Sequence, residues 1–447
     1  MAPITLFFGA NSSGKSSIGQ FLMMLKQTAE SSDQKAVFYP GGKNSAVQMG
    51  SFQEMVYQRD PKNRIGFEYR WQLPSIWEVK DFLTDKVFSG NSLGFEATVG
   101  LEKNQHSPLV DRFAYELYQE SQKEFSIRME RKPTTKIEYD IVAEGYGLRR
   151  RQGRVWYPGA PVRFFGFPAE VVAYHQNAEF VQELNLFHEK LFQSISYLGP
   201  LRNKAERLYS WSGIEPESVG YGGENTVAAV LSARSRKIKQ GSRGNAIPFE
   251  QVIAQTLKDL QLIDDFQVNA ISDKRQEYEV KVRAKGSVDL VDLPDVGFGI
   301  SQVLPVLVQC FYAPPGSIIL MEQPEIHLHP NAQSLLADVF IDVINSKQGG
   351  KDRNVQLIIE THSEHFLRRL QRRIAEDVIS KDKVSAYFAN VSGTPAALES
   401  LDIDLFGNIK NWPENFFGDE MGDITGQSKA ALKKRLKQVK EAAKSHG

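Results

Sequence analysis

Apolar and polar positions change rhythm along this chain of 447 residues, and each rhythm predicts different elements. Residues 3–8, Pro-Ile-Thr-Leu-Phe-Phe, form a short apolar run suited to a buried strand. Residues 16–28 then set Ile18, Phe21, Leu22 and Leu25 on one helical face. In the middle, residues 64–72, 93–102 and 125–145 alternate apolar with polar side chains, many of them aromatic, which predicts strands. Residues 176–196 and 248–261 have helical spacing, and 277–284 and 287–293 read as strands. The last third alternates strand and helix: an apolar strand at 316–322 ending in an acid, a helix at 331–346, a strand at 355–360, a helix at 363–375 and a strand at 384–390. Such runs predict a parallel sheet covered by helices. No sustained heptads or internal repeats occur, so no long coiled-coil arm is expected.

The rhythm divides the chain into four parts. Residues 1–60 hold a strand, a glycine loop and a helix. Residues 61–245 form a mixed β and α insertion, 246–400 resume the α/β pattern, and 401–447 carry an aromatic segment and a basic helix. The expected fold is α/β, one nucleotide-binding head interrupted by the insertion.

Composition narrows the class. Lys plus Arg and Asp plus Glu are 54 each, so nucleic-acid binding would have to come from local patches. The only cysteine, Cys310, sits in an apolar run, which argues against a disulfide scaffold and fits a reducing cytoplasm. No apolar stretch reaches the ~18–20 residues that span a bilayer, and no signal-peptide pattern opens the chain. A cytoplasmic location without membrane contact is expected.

The strongest chemistry lies at Gly9-Ala-Asn-Ser-Ser-Gly14-Lys15-Ser16-Ser17. Glycines let the backbone wrap closely, so that successive N–H groups of Asn11, Ser12, Ser13 and Gly14 point at phosphate oxygens. The following helix adds its positive N-terminus. Lys15 supplies charge for the β- and γ-phosphates, and the Ser16 hydroxyl can ligate Mg²⁺, with Ser17 a weaker candidate. ATP and Mg²⁺ are therefore the expected ligands. An ATPase also needs a carboxylate at a strand end to hold the metal shell, and a polar group to orient water. The strand Ile318-Ile319-Leu320-Met321-Glu322 ends in that acid, with Gln323, Pro324 and Glu325 after it; a second apolar strand ends near Thr361-His362. Adjacent parallel strands would bring both ends beside the phosphate loop.

Four segments together resemble the ABC-type ATPases of the overcoming-lysogenization-defect (OLD) and AAA-15 group, relatives of SMC and DNA-repair heads. They are the phosphate loop, Asp295-Val-Gly-Phe-Gly-Ile-Ser-Gln-Val-Leu-Pro305, Glu322-Gln-Pro-Glu-Ile-His-Leu-His-Pro330 and Glu360-Thr-His-Ser-Glu-His365. Tyr197-Leu-Gly-Pro-Leu-Arg202 and Phe406-Gly-Asn-Ile-Lys-Asn-Trp-Pro-Glu-Asn-Phe-Phe417 look like a subgroup found as ATPase subunits of bacterial anti-phage systems. The resemblance implies an ABC-type head with Lys15 and Ser16 as the Walker A residues and Glu322 as the Walker B acid. Residues 296–300 would be the signature segment, with Gly297, Gly299 and Ser301 facing the γ-phosphate of a second subunit. Residues 327–330 would be the D-loop and His362 the switch histidine. Gln53 or Gln58 would serve as the Q-loop glutamine.

Three departures stand out. Gln323 holds the position of the catalytic glutamate; a glutamine can orient water but cannot take its proton, so slow hydrolysis is expected, with Glu325 or His362 helping. The chain begins almost at the phosphate-loop strand, where the related proteins have an earlier strand or two, so either unusual adenine contacts or a trimmed start is expected. The nuclease domain of OLD proteins has no counterpart: Asp402-Ile-Asp404 is not preceded by a suitable strand and glutamate, and one cysteine with four histidines in the two pairs His327/His329 and His362/His365 does not make a zinc site.

The implied assembly is a homodimer or larger homo-oligomer that controls a separate effector, a nuclease or toxin, with DNA or a phage protein as trigger. A DNA-repair or DNA-loading ATPase and a scaffold with little turnover are the alternatives. Three basic runs bear on this: Arg149-Arg150-Arg151 with Arg154; Arg368, Arg369, Arg372 and Arg373 on one helix; and the C-terminal helix at 428–444 with Lys429, Lys433, Lys434, Arg435, Lys437, Lys440 and Lys444. Such runs are solvated faces or phosphate contacts. Trp412, Phe416 and Phe417 are suited either to docking a partner or to burial on the head.

Overall fold

A computed structural model of the chain describes residues 1–435 except 103–106, 135, 154–156, 242–243, 273–274, 391–395, 414–415, 418–421 and 423–424. Its residues fall into two compact units, one of Met1–Lys15 with Leu198–Gly447 and the other of Ser16–Tyr197.

The first unit is built on a largely parallel sheet. Its strands run in the order Ala397–Ser400, Val384–Asn390, Ile4–Gly9, Gln356–Glu360, Ile318–Glu322, with only the Ala397–Ser400 edge antiparallel. The central runs, Ile4–Gly9 and the Ile-Ile-Leu-Met and Leu-Ile-Ile stretches, are buried on both faces, which is why their apolar residues are continuous rather than alternating. Helices supply the cover. Phe298–Tyr312 is buried from Ile300 onward, Pro330–Ile344 buries Leu336, Phe340 and Val343, and Glu364–Ala375 turns Phe366, Leu367, Leu370 and Ile374 inward. Each such side chain contributes roughly 1.5–3 kcal/mol on burial. A smaller antiparallel sheet of Ile263–Ala270, Glu277–Ala284 and Val291–Asp292 belongs to the same unit.

The second unit is an antiparallel five-stranded sheet in chain order: Ile65–Asp81, Lys86–Gly100, Leu109–Gln119, Gln122–Arg131 and Tyr139–Glu144. The helix Phe180–Gln193 packs on it through an aromatic core. At its centre His188 is wholly buried, with Tyr69 Oη 2.7 Å from Nε2, Tyr115 Oη 2.8 Å from Nδ1, and the Phe165 ring stacked 4.2 Å away. Burial pushes this imidazole well below its ordinary pKa.

Several expectations shift. The expected 125–145 strand is two strands, Gln122–Arg131 and Tyr139–Glu144, because residues 132–134, Lys-Pro-Thr, interrupt the ladder. The 287–293 strand shrinks to Val291–Asp292, and the end of the 176–196 helix becomes the strand Ile195–Leu198. The units divide the chain at Lys15/Ser16 and Tyr197/Leu198, whereas the sequence rhythm divides it after residues 60 and 245. The first boundary has a physical origin. Phe21 of the helix Lys15–Glu30 packs on Phe38 and Phe67, so the helix counts with the antiparallel sheet.

Candidate functional site

The phosphate loop takes the shape its residues allow. Gly9 closes the first strand at φ +147°, and a Cβ there would meet Ser13 Oγ at 2.7 Å and the Ala389 carbonyl at 2.9 Å. Only glycine meets both requirements. Ser12 and Gly14 also have positive φ, which turns the loop tightly before the helix begins at Lys15. Asn11, Ser12, Gly14 and Ser17 are exposed and Ser16 half-buried, while Ser13 is buried with its hydroxyl unpartnered among the described residues. Lys15 is buried, and its ammonium donates to the Ala10 carbonyl at 2.8 Å. Burial holds its pKa below the ordinary value, and the Glu360 carboxylate opposes that.

Glu360 was not singled out by the sequence. The parallel register sets Glu322 opposite Glu360 and Glu360 opposite Phe7, so two buried carboxylates close neighbouring strands at the end where the phosphate loop leaves its own strand. The signal was present: both strands are apolar runs ending in glutamate. Paired carboxylates in a dry setting are costly unless a cation joins them. With Lys15 close by, this donor set fits a polyphosphate with its Mg²⁺.

The turn after Glu322 is held from several sides. Gln323 sits at φ +45°, and its N–H donates to the Glu360 carbonyl at 2.8 Å. Glu325 turns inward: its Oε1 accepts from Thr361 Oγ1 at 2.6 Å and from the His362 amide at 2.9 Å. Burial raises its pKa, against those two hydrogen bonds and the charge of Arg202. His362 keeps part of its surface exposed, and the partial burial of its imidazole, then the charge of Lys15, lowers its pKa. His327 is exposed at φ +63°, and His329 caps the next helix by accepting from the Asn331 amide. Among the described residues no group of three or more His, Cys, Asp or Glu side chains is arranged to hold a metal ion.

The segment 297–301 begins the helix Phe298–Tyr312, with Gly297 exposed at its N-cap. Phe298 packs edge-on against His327, a Cβ on Gly299 would meet the His327 carbonyl at 2.8 Å, and Ser301 Oγ donates to the Phe298 carbonyl. Gly299 is therefore required by its own subunit, whereas a Cβ on Gly297 meets nothing within 4 Å.

Other candidates resolve into local roles. Every arginine of the helix Glu364–Ala375 has a partner, three carboxylates serving four guanidinium groups: Arg369 and Arg373 both pair with Asp338, Arg368 with Glu364 and the Trp412 ring, and Arg372 with Glu376. Arg149, Arg150 and Arg151 are exposed and make no ion pair among the described residues, and Arg154 lies outside those residues. Residues 425–435 are helical with exposed Lys429, Lys433, Lys434 and Arg435; Lys437, Lys440 and Lys444 lie outside the described residues. Phe416 and Phe417 pack on Phe8, and Trp412 packs on both, so the aromatic segment covers its own head. Asp404 accepts from the amides of Phe406 and Asn408 as a turn cap. Gln53 and Gln58 are exposed, with Gln53 bonded to the Arg59 carbonyl. Cys310 is fully buried, its thiol pushed up to about 12 by burial.

Residues 234–367 match the family model described as AAA ATPase domain, and residues 379–427 match one described as a protein of unknown function, DUF3696. The first spans the helix Phe298–Tyr312, Glu322 and His362. Among solved structures the chain is similar to the SMC head domain from Thermotoga maritima, at 10% identity and a TM-score of 0.34 over 90% of each chain. It is also similar to the Smc head domain with an extended coiled coil bound to the C-terminal domain of ScpA from Pyrococcus furiosus, at 10% identity and 0.39 over 90% of each. No curated protein matches the chain. The glycine loop between strand and helix, the parallel sheet with its strand-end carboxylates and the ATPase-domain match define a P-loop ATPase. Its fold is an α/β head built on a largely parallel sheet. No helix among the described residues is long and apolar enough to cross a membrane.

Proposed function

We propose that this ATPase is a slow nucleotide switch: two copies close around two ATP molecules, and closure controls a separate effector protein in anti-phage defence. The observation that carries the slow step is the turn after Glu322. The residue next to that acid is an amide, Gln323, and the nearest following carboxylate, Glu325, is turned inward onto Thr361 and His362. In this reading Lys15 neutralises the β- and γ-phosphates, the amides of residues 11–14 cradle them, and Ser16 and Glu322 hold Mg²⁺. The metal supplies charge neutralisation at the transferring phosphate. Gln323 orients the attacking water, and Glu325 or His362 receives its proton. Gly297, Gly299 and Ser301 face the nucleotide of the partner copy.

Two things support the effector role: the resemblance of the motif set to ATPase subunits of defence systems, and the Ser16–Tyr197 unit, whose antiparallel sheet ATP chemistry does not require. Arg149, Arg150 and Arg151, exposed and without an ion pair among the described residues, favour a second reading, in which a nucleic acid touches that unit as trigger; salt-sensitive stimulation of the ATPase by DNA would support it. The principal test is retention of the neighbouring gene product by wild type and Lys15→Ala, each with and without ATP. Retention should change with ATP in wild type and not in Lys15→Ala, whose ATP affinity should fall tenfold or more. Identical retention in every state, or unaided degradation of DNA or RNA by the chain, would sink the proposal.

A further inference from the structure

Arg202 lies outside the motifs that bind nucleotide, yet it reaches the centre of the turn just described. It is only 7% exposed. Its Nη2 donates to the Glu322 carbonyl at 3.1 Å and the Gln323 carbonyl at 3.3 Å, while Nε and Nη1 have no hydrogen-bond partner among the described residues. Glu325 is buried on the same turn, and its Oε2 is also without a partner there. Gln302, in the helix that begins with the signature segment, adds a buried unpartnered Nε2. Folding alone gives no reason for this arrangement. A buried guanidinium with one of its three nitrogens bonded loses more on desolvation than two carbonyl contacts return, and an apolar side chain of similar volume would serve stability better.

The geometry instead points to a task at the turn. Gln323 is held at φ +45°, a conformation that costs of order 1 kcal/mol or more for a non-glycine residue and persists only where its surroundings enforce it. Arg202 grips the two carbonyls that flank the Gln323 Cα, those of Glu322 and Gln323, and Gln323 N–H is fixed to the Glu360 carbonyl. The turn is thereby set against the next strand. The same cation lies near Glu325, which ties the turn to Thr361 and His362. We propose that Arg202 is a positioning residue for ATP hydrolysis, holding Gln323 and Glu325 in the geometry that the attacking water requires.

The proposal deepens the reading of Gln323 and Glu325 given above and rests on it. In the step served, water oxygen bonds to the γ-phosphorus as the bond to the bridging oxygen of ADP breaks. The water proton passes to a side chain of this site, and phosphate and ADP leave. In this proposal Arg202 acts through Gln323 and Glu325, not by a contact of its own with the phosphate or by exchanging a proton. Its loss should therefore act on kcat and spare binding.

The experiment compares wild type with Arg202→Met and Arg202→Lys in steady-state ATP hydrolysis with Mg²⁺ and in a binding titration with ATP. Arg202→Met should lower kcat tenfold or more, with KM and ATP affinity within threefold of wild type. Arg202→Lys, which keeps the charge but not the planar guanidinium whose Nη2 meets both carbonyls, should recover part of the rate. If Arg202→Met does not melt cooperatively, Arg202→Lys carries the test: a kcat clearly below wild type at unchanged KM supports the proposal. A folded Arg202→Met, or failing that Arg202→Lys, with wild-type kcat overturns it, as does a loss of affinity that matches the loss of rate. Wild type that binds ATP without any turnover would overturn the reading of Gln323 and Glu325 as well, which separates the two failures.

Discussion

At the scale of the residue, the proposed mechanism makes Gln323 the group that sets how fast the site turns over. Its backbone is fixed by the N–H bond to Glu360 and by the two carbonyls that Arg202 holds, so its side chain can be exchanged with little change of fold. Gln323→Glu adds a proton-accepting group at that place and should preserve or raise ATP hydrolysis, whereas Glu322→Gln should lower Mg²⁺-dependent hydrolysis tenfold or more. A fast wild-type rate abolished by Gln323→Glu would overturn the assignment. His188 makes a different prediction. Its folded pKa lies well below the ordinary 6.5, so the folded state stays neutral where the unfolded chain binds a proton. The stability this represents is complete above pH 6.5 and is lost as pH falls below it, by up to about 1.4 kcal/mol per pH unit. The melting temperature of the Ser16–Tyr197 unit should therefore drop between pH 7.5 and 5.5, and drop less in His188→Gln. Equal slopes for the two proteins would remove His188 as the cause.

At the scale of the element, the helix Phe298–Tyr312 carries both packing and the proposed contact with a partner copy. From Ile300 to Tyr312 it is core, and at its start Gly297 is open while Gly299 lies against His327. A bulky residue at Gly299 would disturb the turn of its own subunit, so that position cannot report on association alone. Gly297→Trp can. Monomer ATP affinity should stay within threefold of wild type, and the ATP-dependent gain in mass seen by sedimentation should be lost. Equal association of wild type and Gly297→Trp would count against the two-copy model. The helix Glu364–Ala375 shows the opposite lesson. Four arginines in sequence look like a surface for nucleic acid, but Asp338 on the neighbouring helix takes two of them and local glutamates take the others. Charges paired in this way have little left to offer a phosphate backbone.

At the scale of the whole molecule, the parallel head and the antiparallel sheet are both legible as rhythms, because continuous apolar runs and period-two alternation follow from burial on two faces or on one. Boundaries are less so. The helix Lys15–Glu30 follows the phosphate loop in sequence, yet packs its aromatic face with the antiparallel unit, and spacing alone does not say which sheet a helix will cover. The strand Leu109–Gln119 is not legible as a rhythm for a related reason: its Phe113 and Tyr115 pack in a core whose partners are supplied by other strands and by Phe180–Gln193.

What the sequence determined by itself is the chemistry that sits on contiguous residues. The loop from Gly9 to Ser17 needs only its own backbone, its glycines and the helix that follows, so its role is readable without a fold. The acid ending an apolar strand is readable for the same reason. Tertiary structure decided what depends on residues far apart in the chain. Strand register set Glu360 beside Glu322, inward rotation tied Glu325 to Thr361 and His362, and a loop more than a hundred residues upstream delivered Arg202 to the same turn. It also turned Trp412, Phe416 and Phe417 from a docking candidate into cover for Phe8. Hydrogen bonds and buried charges act over a few ångströms of space, and sequence distance does not report which groups share that space.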